Sequence, residues 1–255
     1  DQGFISTGDY IEALAEPIIL DEDGAVAAGI QSGRTAPYFI DFVKTQLYDQ
    51  KFSDYDVFKG GLRIYTTLDI DLQKKAEQAV KTVFPESIIP SYSLICTDPD
   101  NGYIYALIGG KDYSESKFNI ATQGRRQPGS VFKTLVLMEA ARQNMSARNE
   151  FAPNGPITID MPEGPDWEVN NYGGQQFGED LSIVDATVYS VNVVYAQLIM
   201  MLGAENVEAL CGQMDINDIG SNPAIALGGL EIGITPLDIS KVFSTLASGG
   251  LYRKP

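Results

Sequence analysis

The stretch Ser130 to Ala141, near the middle of the chain, restricts the fold more than any other. Pro128-Gly129 stops a polar loop. Ser130-Val131-Phe132-Lys133-Thr134 then opens a helix that runs on through Leu135, Val136, Leu137, Met138, Ala140 and Ala141. A helix apolar on nearly every side must be surrounded by other elements, so the chain has to build layers around it. Ser130 stands at its N-terminal end and Lys133 follows three residues later, which places the two side chains on one face within reach of each other. A hydroxyl and an amine paired at the start of a buried helix can activate a serine nucleophile. Two plainer readings stay open. Ser-x-x-Lys also occurs at Ser114–Lys117, in a polar stretch that begins no apolar helix, and Ser130 is a good N-cap in its own right.

The chain contains no histidine, which excludes a Ser-His-Asp triad within it. A serine nucleophile here needs another base, and lysine serves when burial lowers its proton affinity. Lys and Arg number 18 against 34 Asp and Glu, a formal charge of −16, which argues against nucleic acid and other polyanions as partners. Against that background Arg125, Arg126 and Lys133 read as a local positive cluster able to receive a carboxylate. Cys96 and Cys211 have neither metal spacing nor a disulfide framework, so neither metal nor cofactor is expected. Nowhere do eighteen apolar residues run together, so no membrane span is expected in these residues. The start at Asp1 suggests a piece excised from a longer protein.

Along the chain, Tyr10–Ala15 reads as a short helix and Asp21–Gly24 as a turn. Pro37 opens a helix through Tyr38, Phe39, Phe42, Val43 and Leu47, and Gln50–Asp56 reads as a polar linker. Gly60-Gly61 marks a boundary. Leu62–Leu68 reads as a strand, Asp69 as the N-cap of a helix to Val83, and Ser91–Thr97 with Tyr103–Ile108 as an antiparallel hairpin turned by Asp98-Pro99-Asp100-Asn101-Gly102. Residues 144–180 are loop-rich and hold the single tryptophan. Trp167 reads first as a packing anchor; Trp167, Asn171 and Tyr172 are carried as candidate substrate contacts. Leu181–Leu198 reads as helix, a polar break at Ser190–Asn192, and helix again. Ser190 and Asn192 need hydrogen-bond partners in so apolar a setting. They are either a satisfied pair that breaks the helix or a hydroxyl and an amide turned into a site. A helix near 204–212, a turn at Leu227-Gly228-Gly229 and a last helix opened by Thr235-Pro236 complete the pattern.

These motifs, in this order, resemble the transpeptidase domain of a class A, or bifunctional, penicillin-binding protein. Arg126-Gln127-Pro128-Gly129-Ser130-Val131-Phe132-Lys133 matches the family's first motif with its flanks, and Ser190-Val191-Asn192 its second. Gly60-Gly61-Leu62 to Asp69 with Gln73, Asp98-Pro99 to Gly109-Gly110, Phe118-Asn119, Leu227-Gly228-Gly229 and Thr235-Pro236-Leu237 support the match. Neither Lys-Thr-Gly nor Lys-Ser-Gly, the third motif, occurs. That strand is expected beyond Pro255. The resemblance implies an α/β fold of the α+β type, with helices packed around a central antiparallel sheet as in β-lactamases and transpeptidases, and with the C-terminal strands missing from this chain. It implies two regions. Residues 1–58 resemble the junction that follows a glycosyltransferase domain absent here, and 59–255 the penicillin-binding transpeptidase domain.

By resemblance, the activity is peptidoglycan D,D-transpeptidation. Ser130 is the nucleophile, Lys133 the base, Ser190 a proton relay to the leaving amine, and Asn192 a partner of Lys133 or of the substrate amide. The partners implied are peptidoglycan stem peptides and β-lactams, without nucleic acid, and with the membrane reached only through a segment absent from this chain. The setting implied is the extracytoplasmic face of a bacterial cell membrane. The oxyanion would rest on the Ser130 backbone N–H and one N–H from the missing strand, a donor worth roughly 2.7–4 kcal/mol of barrier in a known case. A sheet cut before its last strands leaves an open edge, so either a second polypeptide segment completes it or the strand order is disturbed. Two alternatives stand beside this reading: a D,D-carboxypeptidase or β-lactamase of the same superfamily, told apart by acyl-enzyme lifetime, and a non-catalytic penicillin-recognising sensor domain.

Overall fold

A computed structural model describes residues 35–84, 91–161 and 164–255, together with Ser6 and Gly8. The helix and the turn read at Tyr10–Ala15 and Asp21–Gly24 lie outside the described residues.

Helix α1, Pro37–Asp49, has proline in its first turn and buries Tyr38 and Phe39. The stretch read as a polar linker is only half linker. Ser53 and Asp56 form a capping box that starts α2, Asp54–Lys59. Asp69 caps α3, Ile70–Val83, accepting from the amides of Asp71 and Leu72. Strands β1, Leu94–Thr97, and β2, Ile104–Ile108, form the expected antiparallel hairpin with Ile95 opposite Leu107. Asp98 organises the turn. It accepts from the amide of Asp100 at 2.9 Å and from the Tyr105 hydroxyl at 2.7 Å.

No strand forms at Leu62–Leu68, against the sequence reading. The reason lies in who occupies the outer edge of β2. Thr67 donates its hydroxyl to Ile104 O at 2.8 Å and Asp69 donates its amide to Tyr105 O at 2.9 Å. The next ladder position, Leu107, is taken by a side chain. Buried Gln73 accepts from Leu107 N at 2.8 Å and donates to Leu107 O at 3.1 Å. A glutamine amide presents an N–H and a C=O in the spacing of a peptide group, so it serves both groups of Leu107 at once, and its second N–H goes to Glu77 Oε1 at 2.8 Å.

The outer edge of β1 has no such cover. Among the described residues none of its backbone groups bonds outward. It opens on a groove of about 450 Å³ whose far wall is Pro236, Ile239, Phe243 and Ala247. The hydroxyls of Thr97 and Ser240 are hydrogen-bonded across it.

After the short helix α4, Ile120–Gln123, a 3-10 turn at Gly129–Phe132 leads into α5, Lys133–Arg142. The loop-rich region that follows holds two small ribbons. Strand β3, Glu150–Phe151, pairs with β6, Leu181–Ser182; between them β4, Ile157–Ile159, pairs with β5, Trp167–Val169. Then come α6, Ile183–Val188, α7, Asn192–Leu202, and α8, Ala204–Gly212. A 3-10 turn at Pro223–Leu227 precedes α9, Pro236–Ala247, which starts at a Thr235–Asp238 capping box.

The main core collects α5, α7 and α8, with Phe132, Leu135, Val194, Leu198, Ile199 and Val207 at its centre, all fully buried. A smaller core joins Tyr38 and Phe39 of α1 to Ile104 and Leu107 of β2 and to Ala121 of α4. The result is an α+β arrangement in which helices pack around small antiparallel sheets, with Phe132, Leu135, Val136 and Ala140 of the Ser130–Ala141 stretch buried. Among the described residues no single helix is long and apolar enough to cross a membrane.

Candidate active site

The site is made by the junction of α5 with the break between α6 and α7. Ser190 adopts a left-handed conformation at φ 54, and Val191 N returns to Ala186 O at 2.9 Å to close α6. Asn192 then begins α7. This sharp reversal turns three oxygens to one side. Lys133, at the start of α5, points its ammonium at all three: Ser190 O at 2.6 Å, Ser190 Oγ at 3.0 Å and Asn192 Oδ1 at 2.8 Å. An ammonium has three protons to donate, and here each has an acceptor. The orientation of the Asn192 amide is fixed from the other end, where its Nδ2 donates to Asn170 O at 3.1 Å.

Lys133 is 4% exposed. Among the described residues no carboxylate pairs with it; its surroundings are neutral oxygens and the ring of Tyr195, whose centroid is 5.3 Å from Nζ. Burial of the charged form pushes its pKa down to about 8. A lysine so placed passes to the neutral amine in mildly alkaline solution, well before an exposed one.

Ser130 lies in the 3-10 turn and is exposed, and its side chain makes no hydrogen bond among the described residues. It is therefore not an N-cap. Nor does it bond to Lys133, as the spacing suggested, because the three lysine protons are taken by the Ser190–Asn192 break. Its place is set by the backbone around it. The Gln127 amide donates to Leu230 O at 2.5 Å and accepts from Leu230 N at 2.7 Å. Arg126 and Ile234 exchange two backbone bonds of 3.0 Å each. Gly228, at φ 77, comes so close that an added Cβ would run into the backbone N, Cα and O of Gly129. Gly228→Ala therefore combines a strained positive φ with displacement of the turn that carries Ser130. The expected result is a loss of at least about 1 kcal/mol in urea unfolding, together with slower labelling of Ser130 by penicillin.

The other sequence candidates separate. Asn171 is buried, and its whole amide serves the backbone. Nδ2 donates to Pro153 O at 2.7 Å and Gln175 O at 3.1 Å, while Oδ1 accepts from Val193 N at 3.2 Å. It ties the loop to the start of α7 and has no group left over for a ligand. Trp167 packs half-buried against the main core. Tyr172 is 94% exposed and stands free of that packing. The positive cluster does not form: Arg125 reaches Asp218 at 3.6 Å, Arg126 donates to Arg125 O at 2.8 Å, and Lys133 is inside. Gln127 and Tyr195 carry no distinctive signal in the sequence: the first is a flank of the motif and the second one more residue of an apolar helix. Tyr195 is the one ring in the otherwise aliphatic start of α7.

A family model described as the penicillin binding protein transpeptidase domain matches residues 92–255. The chain belongs to the penicillin-binding protein transpeptidase family. Its class A resemblance agrees with the relatives found. Penicillin-binding protein 1F of Bacillus subtilis (strain 168) is 30% identical over an alignment that takes in 100% of this chain and 35% of the relative. The chain thus spans about a third of that relative's length. Among solved structures, the PonA1 protein from Mycobacterium tuberculosis in complex with penicillin V superposes with a TM-score of 0.73 at 24% identity, over 87% of this chain and 61% of that one. Penicillin-binding protein A from the same organism, as its penicillin G acyl-enzyme complex, gives 0.61 at 21% identity, over 73% and 52%. At these identities the likeness is one of fold, and this transpeptidase-family chain shares it.

Proposed function

We propose that this chain carries the acyl-transfer site of a peptidoglycan D,D-transpeptidase, with Ser130 as nucleophile, Lys133 as base, and Ser190 and Asn192 as the groups that hold and unload that base. The observation that carries the reading is the seating of Lys133: a buried amine without a carboxylate partner among the described residues, three residues after an exposed serine, in a protein that has no histidine. Membership of the transpeptidase family supports it.

The proton count gives the mechanism its order. Neutral Lys133 has two protons and one lone pair. Its protons stay on Ser190 O and Asn192 Oδ1, which can only accept. The lone pair is then free for a hydroxyl. Ser130 Oγ attacks the carbonyl of the penultimate D-Ala of a stem peptide, and its proton passes to Lys133. The carbonyl π electrons move to oxygen, and the Ser130 backbone N–H is the donor this chain offers there. As the tetrahedral species collapses, the C–N bond breaks and the leaving amine takes a proton from Lys133 by way of the Ser190 hydroxyl. Repetition in reverse, with the amine of a neighbouring stem, forms the cross-link and frees Ser130. β-Lactams present the same acyl carbon and leave Ser130 acylated.

Residues 59–255 would form the catalytic domain and 1–58 its junction, at the outer face of a bacterial membrane. A further polypeptide segment, bearing the third motif and the second oxyanion donor, would complete the sheet along the free edge of β1. The test is the intact mass of the protein with and without excess penicillin. One adduct per chain, mapping to Ser130, is expected when that segment is present. A folded, completed protein that shows no adduct would overturn the assignment.

A further inference from the structure

Lys133 is held as an ammonium with neutral acceptors on one side and an aromatic face on the other. The hydrogen bonds to Ser190 and Asn192 account for its three protons. Tyr195, one turn into α7 and wholly buried, presents its ring to Nζ at 5.3 Å. The tyrosine hydroxyl is turned away: it is 2.7 Å from Thr187 Oγ1, and Thr187 in turn donates to Ile183 O at 2.6 Å. The phenol's polar end is thus engaged between α6 and α7, leaving the π face for the cation. An aromatic face attracts a cation most strongly where water is excluded.

Among the described residues no titratable group on the surrounding elements pairs with Lys133. Glu139 of α5 faces Arg142 at 2.7 Å and Gln143 at 2.8 Å. Asp185 of α6 accepts from the Ser182 hydroxyl at 2.5 Å. On α8, Glu208 acts on the buried thiol of Cys211, and Glu205 lies at the start of that helix, beside Gly203. The 3-10 turns at Gly129–Phe132 and Pro223–Leu227 bring no titratable side chain.

We propose that Tyr195 is a positioning residue for Lys133, its ring standing in for a missing countercharge and thereby setting the pH at which the amine becomes free to serve Ser130. The proposal rests on the reading of Lys133 as base. A carboxylate in the same place would hold the ammonium too tightly for it to act near neutral pH, and an aliphatic side chain would let it deprotonate sooner. The ring gives an intermediate setting.

The experiment is a lysine 13Cε NMR titration of the full chain, from neutral pH into the alkaline range, with Tyr, Phe or 3,4,5-trifluorophenylalanine at position 195. Tyr195→Phe keeps the π face and is expected to keep the Lys133 midpoint. The trifluoro ring keeps the shape but weakens the face, and is expected to lower the midpoint by about half to one pH unit. Tyr195→Leu should lower it in the same direction; the fluorinated ring stands in if that cavity unfolds the protein. One midpoint for all the rings would overturn the proposal. Penicillin labelling of the same variants in the protein completed by the third-motif segment reports separately: a moving Lys133 midpoint without any Ser130 adduct there would sink the nucleophile assignment and leave the role of Tyr195 standing.

Discussion

Ser130→Ala is expected to abolish covalent labelling by penicillin and to leave the fold as it was. The two halves of that result have different origins. Labelling needs an oxygen nucleophile, and the chain offers no histidine to recruit another by the usual route. Stability is indifferent because the Ser130 side chain is exposed and makes no hydrogen bond among the described residues. The unfolding free energy should stay within about 0.5 kcal/mol of the parent, as for surface substitutions away from caps and networks. Mass spectrometry with excess penicillin and a urea titration of the same pair measure both. A persistent adduct in Ser130→Ala would move the nucleophile elsewhere. A large loss of stability would show that the hydroxyl has a structural partner.

Lys133→Met is expected to slow labelling as well and, unlike Ser130→Ala, to change stability. Removing a general base costs roughly 100- to 10,000-fold in rate, so acylation of Ser130 should fall by that order. Stability should change, and in a pH-dependent way. Burial lowers the folded-state pKa from 10.5 to about 8. Below pH 8 the amine is charged in both states, and the folded state bears the whole cost of burying it. Between about 8 and 10.5 the folded state releases its proton while the unfolded state keeps it. The unfolded state then binds more protons, so stability rises with pH. The rise amounts to about 3 kcal/mol at most for a shift of this size, and it vanishes in Lys133→Met. At neutral pH methionine also strands Ser190 O and Asn192 Oδ1, which costs about 1–3 kcal/mol each if they stay dry. The informative quantity is therefore the slope. Urea unfolding of both proteins at several pH values between 7 and 10.5 should show the parent gaining stability relative to Lys133→Met as pH increases. Parallel curves would mean that Lys133 is solvated in solution.

How far the sequence carried the structure depends on what kind of signal each residue gave. Ser130, Lys133, Ser190 and Asn192 could be named because hydroxyl, amine and amide groups inside apolar stretches need partners, and their order along the chain matched a known set. The geometry still differed in one respect: the lysine is bonded to the second motif and not to the first. Helical spacing said that Ser130 and Lys133 could meet; it carried no information on competing acceptors some 57 residues further on. The caps at Asp69 and Thr235 were legible because capping is local. Ser53–Asp56 is an equally local signal, overlooked because its neighbourhood is polar. Leu62–Leu68 failed for the reverse reason. Its residues favour extended structure, but pairing is decided by the neighbouring edge, where Gln73 stands.

That glutamine makes the small sheet directional. With Thr67, Asp69 and Gln73 holding the outward groups of β2, an incoming strand finds no vacant ladder on that side. Every strand that joins, from this polypeptide or another, must do so at β1, beside α9. The sheet thus has one closed side, at the glutamine stopper, and one open side, at β1. Loss of the stopper, as in Gln73→Ala, would turn a one-ended template into a two-ended one. Two-ended templates can propagate from chain to chain, so the Gln73 amide, with Thr67 and Asp69 beside it, guards the sheet against recruiting copies of itself on that side.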